Sequence, residues 1–431
     1  MDELCNGKRR HPMLLSFRCE NCYSFAKNAN ISLVASNVDE KRFAIERGNI
    51  NVLPVISIYG ANASGKSNYI KALSSMFWNI CRGDIYLRGD VFAFDDNLAD
   101  EPMLCEMIFC LPNENGETEY KEYKYGYKIS REEERSLSDK DYKVIAEEWL
   151  ESRIMESGDD FTVVFKRVGN RIDFGENVPD AVAALKATIG KSKSMLFLPL
   201  AGRTWEEPYS SIHDWCEETT PPQFFDDEDM RSRISSLARL VARNDKARKR
   251  YLKFMQKFDP CIVDIVSKPD KSTVEGYELY VKHKAHTPKD PKKQMREISI
   301  FEESAGTQKI ASICSIILRA LNHGGLVIAD ELDTKLHPKI LREIVKSFQK
   351  QKANKAQLIF TAHNLVALND QDMRTDEVYF VEKNDDGYSR IAKLPASVNK
   401  SKVDREFGKA YLAGRFGAIQ NNFSIGEQND I

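Results

Sequence analysis

The sequence predicts an α/β fold: one sheet assembled from the chain before about residue 200 and after about residue 295, with an antiparallel β layer and a helical, basic insertion between. Three observations carry this. An apolar, β-branched run at Val52–Tyr59 leads through a glycine loop into a helical pattern, with Ile70, Leu73 and Phe77 on one face. A second apolar run, Leu326–Ala329, ends in two acids, Asp330 and Glu331. Between the two, short segments alternate apolar and polar residues and are separated by Asn/Gly turns, which is the pattern of successive antiparallel strands.

Composition bounds the answer. A chain of 431 residues with 42% hydrophobic and 30% charged residues is long enough for one large or two ordinary domains with a sizeable core. The net charge of −2 gives no whole-chain attraction for nucleic acid, so any such surface must be local. The first ten residues, Met1 to Arg10, have no apolar signal region, and no run approaches a membrane span. Nine scattered cysteines, several within apolar runs (Cys105, Cys110, Cys314), suit a reducing interior. A cytoplasmic protein without a membrane partner is expected. Cys19-Glu20-Asn21-Cys22 is a lone C-x-x-C, read as a hairpin with two reduced thiols, the metal or redox alternative standing beside it.

In chain order, Leu14–Phe17 and Ile31–Ala35 read as an antiparallel pair preceding the glycine loop. Phe17, Tyr23 or Phe25 could stack on a base, although a core role suits each of them. The loop itself is Gly60-Ala61-Asn62-Ala63-Ser64-Gly65-Lys66-Ser67, followed by Asn68. It meets G-x-x-x-x-G-K-[ST] at every fixed position, in the strand-to-helix context that the chemistry requires. Its backbone N–H groups, from Gly60, Asn62, Ala63, Ser64, Gly65 and Asn68, can curl around phosphate at the positive end of a helix. Lys66 would reach the β- and γ-phosphates of ATP, and the Ser67 hydroxyl would ligate Mg²⁺. These residues imply nucleotide binding.

Val91–Phe94, Leu104–Cys110, Tyr123–Ile129, Ala146–Leu150 and Phe161–Phe165 read as strands, with turns at Asn113–Gly116 and Gly169-Asn170. Beyond about residue 205 a loop at Glu217–Pro222 and the acids Asp226–Asp229 introduce helices carrying Ile234, Leu237, Val241, Tyr251, Phe254, Met255 and Phe258. Arg243, Lys246, Arg248, Lys249, Arg250, Lys253 and Lys257 make the densest basic cluster, a solvated helix face or a patch for nucleic acid or a partner. His286–Lys293 reads as a Pro/Lys-rich linker.

The chain then returns to nucleotide chemistry. Ser304-Ala305-Gly306-Thr307 opens a helix with Ile310, Ile313, Cys314, Ile317 and Leu321 on its apolar face, a second anion site at a helix N-terminus. Asp330 ends a buried strand beside the glycine loop, placed to hold the Mg²⁺ shell, and Glu331 is placed to act as general base on the attacking water. Gln357–Thr361 is a further buried strand leading to His363, which could donate a hydrogen bond to the γ-phosphate.

Taken together, these motifs resemble the ATP-binding-cassette superfamily, in the family's order: P-loop, signature turn (Ser304 to Thr307), Walker B with Glu331, D-loop (Leu332-Asp333) and switch His363. The fold implied is an ABC-type P-loop ATPase head. The long interval between Ser67 and Ser304, together with Ser304–Lys309 and Asp330–Pro338, resembles the soluble branch. That branch includes RecF, structural-maintenance-of-chromosomes (SMC) heads, OLD-family nucleases and RloA-like prokaryotic ATPases. The chain most resembles the last group, extending to Phe17–Asn21, Tyr125–Tyr127, Glu148–Leu150 and the tail Ala410–Ala418.

The resemblance implies ATP and Mg²⁺ as cofactors and an ATP-dependent head-to-tail homodimer. It also implies a separate effector, such as a nuclease or toxin, in anti-phage or abortive-infection defence. The alternative is a RecF- or SMC-like ATPase acting on nucleic acid. One departure stands: no glutamine occurs between Ser67 and Gln223, so the Q-loop role is unassigned. The expected divisions are 13–204 (P-loop and β layer), 205–294 (helical, basic insertion), 295–395 (signature, Walker B, switch His) and a tail, 396–431. No nuclease constellation is visible after His363.

Overall fold

A computed structural model describes residues 11–36, 43–82, 89–112, 120–132, 142–155, 158–219, 227–273, 275–285, 295–351, 355–363 and 373–394. The turn expected at 113–116, the linker at 286–293, Gln223 and the tail 396–431, with its 410–418 segment, lie outside these residues.

At the centre is a five-stranded sheet in the order Gly325–Ala329, Ala356–Thr361, Val55–Tyr59, Val378–Lys383, Ser389–Lys393. The first four strands are parallel and the last runs antiparallel to its neighbour. Parallel strands are covered on both faces, which is why Val55–Tyr59, Gly325–Ala329 and Ala356–Thr361 are buried at every position. Side chains alternate across a strand, so one strand feeds two cores. Ile56, Ile58, Leu326, Ile328 and Ile359 join the core shared with the P-loop helix (Lys66–Arg82). Val55, Tyr59, Val327, Ala329, Leu358 and Phe360 join the core beneath the signature helix (Ala305–His323).

On the first side lies a seven-stranded antiparallel sheet, ordered Arg171–Phe174, Thr162–Val168, Tyr142–Ile154, Tyr120–Glu132, Met103–Pro112, Met13–Glu20, Ala29–Ser32. The expected β layer is present, and the segments at Tyr125–Tyr127 and Glu148–Leu150 build it. Gly126 faces Trp149 across the ladder, and a Cβ at Gly126 would come within 2.3 Å of the indole. Glu148 and Arg167 are fully buried beside each other. Glu148 accepts the N–H groups of Phe197 and Leu198 at the start of the helix Phe197–Gly202, and the Tyr125 hydroxyl. Arg167 donates to the carbonyls of Gly169, Ser192 and Met195. Burial raises the Glu148 carboxyl above its ordinary value, and Arg167 opposes the shift. These residues organise the fold rather than the site.

Val91–Phe94 departs from the strand expected there: it is irregular. The Phe92 N–H goes to the Asn21 side-chain oxygen at 3.1 Å, and Tyr23 N–H goes to the Asp90 carbonyl at 2.7 Å, so a side chain and a loop take the place of a ladder. Val91 and Phe92 are buried whereas Ala93 and Phe94 are exposed, so the two-residue alternation of a strand is absent.

On the second side stand helices Asp227–Arg243 and Asp245–Gln256. Asn244 separates them by capping the second, its side-chain oxygen accepting Ala247 N–H at 2.9 Å. The chain then forms a three-stranded antiparallel sheet, Ile262–Pro269, Tyr277–Lys284 and Met295–Ser299, which sequence reading had not placed. The basic cluster divides here. Arg248 is paired with Asp264 and Asp245, and Lys249 with Asp245, whereas Arg243, Lys246, Arg250, Lys253 and Lys257 point to solvent. No helix among the described residues is long and apolar enough to cross a membrane.

Candidate functional site

Three parallel strands present their C-terminal ends side by side, where open α/β sheets gather ligands. Val55–Tyr59 delivers the glycine loop, Gly325–Ala329 delivers Asp330 and Glu331, and Ala356–Thr361 lies between them in the sheet and delivers Thr361 and His363.

The loop wraps a buried cation. Lys66 begins the helix, and its ammonium is buried, donating to the carbonyls of Gly60 at 2.8 Å and Ala61 at 2.9 Å. The loop therefore curls around the lysine head. Burial lowers the ammonium below its ordinary value, and the charges of Asp330, Glu331 and Asp333 oppose that shift. Asn62 and Ala63 form the exposed tip, with Ala63 at φ 61°. Gly65 stands at φ 111°, a left-handed conformation that favours glycine, and a Cβ there would lie 2.3 Å from Ser389 Oγ. A Cβ at Gly60 would lie 2.2 Å from the Val381 carbonyl. Ser64 Oγ is buried and has no hydrogen-bond partner among the described residues. An orphaned hydroxyl, a cradle closed to any Cβ and a buried ammonium together fit a phosphate chain. Ser67 and Asn68 follow in the first turn, half-buried.

Asp330 is buried, and its Oδ1 accepts the Thr361 hydroxyl at 2.5 Å. The same Thr361 oxygen accepts the Glu331 N–H at 2.7 Å, and the Thr361 carbonyl accepts the Leu332 N–H at 3.0 Å. One threonine thus clamps the whole acidic turn. Glu331 sits at φ 46°, a left-handed conformation that costs a non-glycine residue on the order of 1–3 kcal/mol. The clamp holds it there, half-exposed, with Oε1 3.4 Å from His363 Nε2. The His363 N–H donates to Asp333 Oδ2 at 2.9 Å, so the two strand ends are tied at both acids.

Thr361 was named in sequence only as a strand residue, and its place two residues before His363 is the one local hint of its role. Thr361→Val removes the hydroxyl at constant volume and leaves the Glu331 amide and Asp330 without it, at a cost of about 1–3 kcal/mol. Turnover is expected to fall about tenfold or more while ATP affinity holds. Steady-state rates beside equilibrium ATP binding check this; unchanged turnover would remove Thr361 from the machinery.

Ser389 and Ser24 were also missed. Ser389 Oγ lies 2.7 Å from the Ser64 carbonyl and 2.8 Å from Ser24 Oγ, bracing the loop from behind. Conversely, Phe17 and Phe25 are fully buried, packed edge-on against Tyr69, so neither is available to stack on a base. Tyr23 is held by its hydroxyl 3.3 Å from Ser75 Oγ. Cys19 and Cys22 are buried free thiols, and burial raises the Cys22 thiol well above its ordinary value.

The signature turn stands at the start of the helix Ala305–His323, beside the acidic turn. Ser304 caps it, accepting Thr307 N–H at 3.2 Å, with its Oγ 2.9 Å from Thr307 Oγ1. Ser304 and Ala305 are exposed, and a Cβ at Gly306 would lie 3.2 Å from the Lys335 carbonyl. One turn on, burial pushes the Lys309 ammonium down to about 8, helped by Arg233 and Lys335 and opposed by Glu331 and Asp333.

A family model described as "AAA domain, putative AbiEii toxin, Type IV TA system" matches residues 55–369. No curated protein matches the sequence. Among solved structures, the chain is similar to an SMC head domain from Thermotoga maritima, at 14% identity over 89% of this chain and 99% of that one, with a TM-score of 0.42. It is similar to an SMC head bound to the C-terminal winged-helix domain of ScpA, at 13% identity over 89% and 98%, with a TM-score of 0.47. A third is an SMC head with an extended coiled coil bound to the C-terminal domain of ScpA derived from Pyrococcus furiosus, at 11% identity over 94% and 99%, with a TM-score of 0.43. With the family match spanning both halves of the strand-end cluster, the chain belongs to this AAA-domain family and is a P-loop ATPase.

Proposed function

We propose that the chain hydrolyses ATP with Mg²⁺ in a head-to-tail homodimer and uses the resulting change of shape to regulate a separate effector, such as a nuclease or toxin, in anti-phage (abortive-infection) defence. The observation that carries the catalytic part is the Thr361 clamp, which ties Asp330 and Glu331 to the end of the strand that pairs with Val55–Tyr59, the strand leading into the loop and the buried Lys66. The β- and γ-phosphates lie in the cradle of Gly60, Asn62, Ala63, Ser64, Gly65, Lys66 and Asn68. Ser67 and Asp330 would hold the Mg²⁺, which would supply charge neutralisation on the phosphates when bound. Glu331 takes the proton of the attacking water, and His363, 3.4 Å away, orients that carboxylate and reports on the γ-phosphate. The defence role is favoured by the toxin–antitoxin description of the family.

The dimer follows from the signature turn. Ser304 and Ala305 face solvent at a helix N-terminus, whose first N–H groups have no partners within the helix. In the dimer, Ser304, Gly306 and Thr307 of one chain cap the γ-phosphate held by Lys66 of the other, neutralising it from both sides. Hydrolysis then weakens the contact, a switch with a mechanical output. Lys66→Ala and Ser304→Arg chains are each expected to be inactive. Mixed, they form heterodimers with one intact site and recover about a quarter of wild-type activity by statistical pairing. A mixture as inactive as its components would overturn the composite site.

A second reading, a RecF- or SMC-like ATPase on nucleic acid, rests on the solvent-facing Arg243, Lys246, Arg250, Lys253 and Lys257. It requires ATPase stimulation by DNA or RNA that fades with salt. Stimulation by an effector protein and not by nucleic acid decides for the first.

A further inference from the structure

The helix Tyr209–Glu218 packs against the P-loop helix on the side away from the acidic turn and carries three metal-ligand side chains on adjoining positions: His213, Asp214 and Glu217. His213 is only 7% exposed. It is fixed from behind, because a Cβ at Gly202 would lie 2.5 Å from the His213 Cβ; only glycine lets the two helices approach that closely. Its Nε2 is buried with no hydrogen-bond partner among the described residues, and it lies 4.0 Å from Glu217 Oε1. Nδ1 lies 4.0 Å from Asp214 Oδ1. One ring nitrogen and one oxygen of each carboxylate lie within 4.8 Å of one another. Among the described residues neither carboxylate is paired with a lysine or arginine.

Two ligands on one tetrahedral Zn²⁺, each at about 2.0–2.2 Å, are about 3.3–3.6 Å apart. The Nε2 to Glu217 Oε1 separation of 4.0 Å exceeds that by about half an ångström, and closing the site is a matter of side-chain rotation by the exposed Asp214 and Glu217. The i, i+4 spacing of His213 and Glu217 puts both on one helix face. Asp214 also borders a cavity of about 550 Å³ whose wall carries Glu207, Glu218 and Lys121, so the Asp214 carboxylate is open to ions and water from that side. An imidazole with two carboxylates selects a borderline divalent ion, whereas the all-oxygen preference of Mg²⁺ assigns that ion to the nucleotide site.

We infer that His213, Asp214 and Glu217 form a Zn²⁺-class metal site, separate from the nucleotide site, on the helix that packs against the P-loop helix. The test uses the full chain, stripped with chelator and nucleotide-free, titrated with Zn²⁺ by calorimetry and with Co²⁺ by absorption. One saturable equivalent with a Kd of about 10 µM or tighter is expected, together with a melting temperature that rises with Zn²⁺. Glu217→Gln and Asp214→Asn, both at exposed positions, are expected to weaken it tenfold or more without unfolding the protein. The Co²⁺ spectrum is expected to lack thiolate charge transfer. No saturable equivalent, unchanged affinity in Glu217→Gln, or a thiolate band pointing to the buried cysteines would each overturn the site.

Discussion

Lys66→Ala is expected to reduce ATP binding at least a hundredfold and to bring hydrolysis to background. The ammonium is the one cation within the loop, and it holds the Gly60 and Ala61 carbonyls at 2.8 and 2.9 Å. Those carbonyls would otherwise turn their negative ends towards an incoming phosphate. The substitution therefore removes attraction and adds repulsion together, and charge-assisted contacts of about 1.5–3 kcal/mol each are enough for the loss. Stability responds far less. Desolvation of the ammonium is itself unfavourable, which is why its proton affinity is lowered, so deleting it returns part of what its hydrogen bonds contributed. A melting temperature within about 4 °C of wild type is expected. Fluorescent-nucleotide titration alongside thermal melting separates the two effects. Wild-type ATPase activity in this variant would remove the loop from the site.

Glu331→Gln is expected to bind ATP at least as well as wild type and to lose about 10²–10⁴ in turnover, the range a positioned general base contributes. The amide keeps the size of the carboxylate and leaves the Thr361 clamp on the backbone intact, since that clamp holds the residue 331 N–H and not its side chain. Single-turnover hydrolysis isolates the chemical step from product release. On the proposed head-to-tail dimer, the same variant should accumulate as dimer when ATP is added, because the ligand that would join the heads is no longer consumed; mass photometry reads this directly. Turnover at the wild-type rate would mean that another base operates, with His363 the first to examine because it faces the same oxygen.

What could be read from the sequence has a common physical character. The loop from Gly60 to Ser67, the acids Asp330 and Glu331 and the ends of the parallel strands are local statements. Phosphate chemistry restricts residue type over a few consecutive positions, and burial on both faces restricts a strand to an unbroken apolar run. Five residues at Val55–Tyr59 or Gly325–Ala329 therefore declare themselves without knowledge of their neighbours. The same logic made the β layer legible in Met103–Pro112 and Tyr120–Glu132, where alternation survives along each strand.

What only the tertiary structure decided are contacts between positions far apart in the chain. Ser389 meets the loop at Ser64 from 325 positions away, and Thr361 meets Asp330 across 31. A serine or threonine carries no local mark of such a partner, because its hydroxyl serves a cap, a turn or a clamp equally well. The left-handed backbone of Glu331 is invisible for the same reason: it is imposed by Thr361 and by the chain turning into Leu332, not by the preference of glutamate. Val91–Phe94 shows the converse, a segment that reads as a strand in sequence but whose Phe92 N–H is taken by the Asn21 side chain. Local sequence determines which groups a segment can offer; only the folded chain determines which distant group accepts them, because each backbone donor is satisfied once and the nearest partner in space takes it.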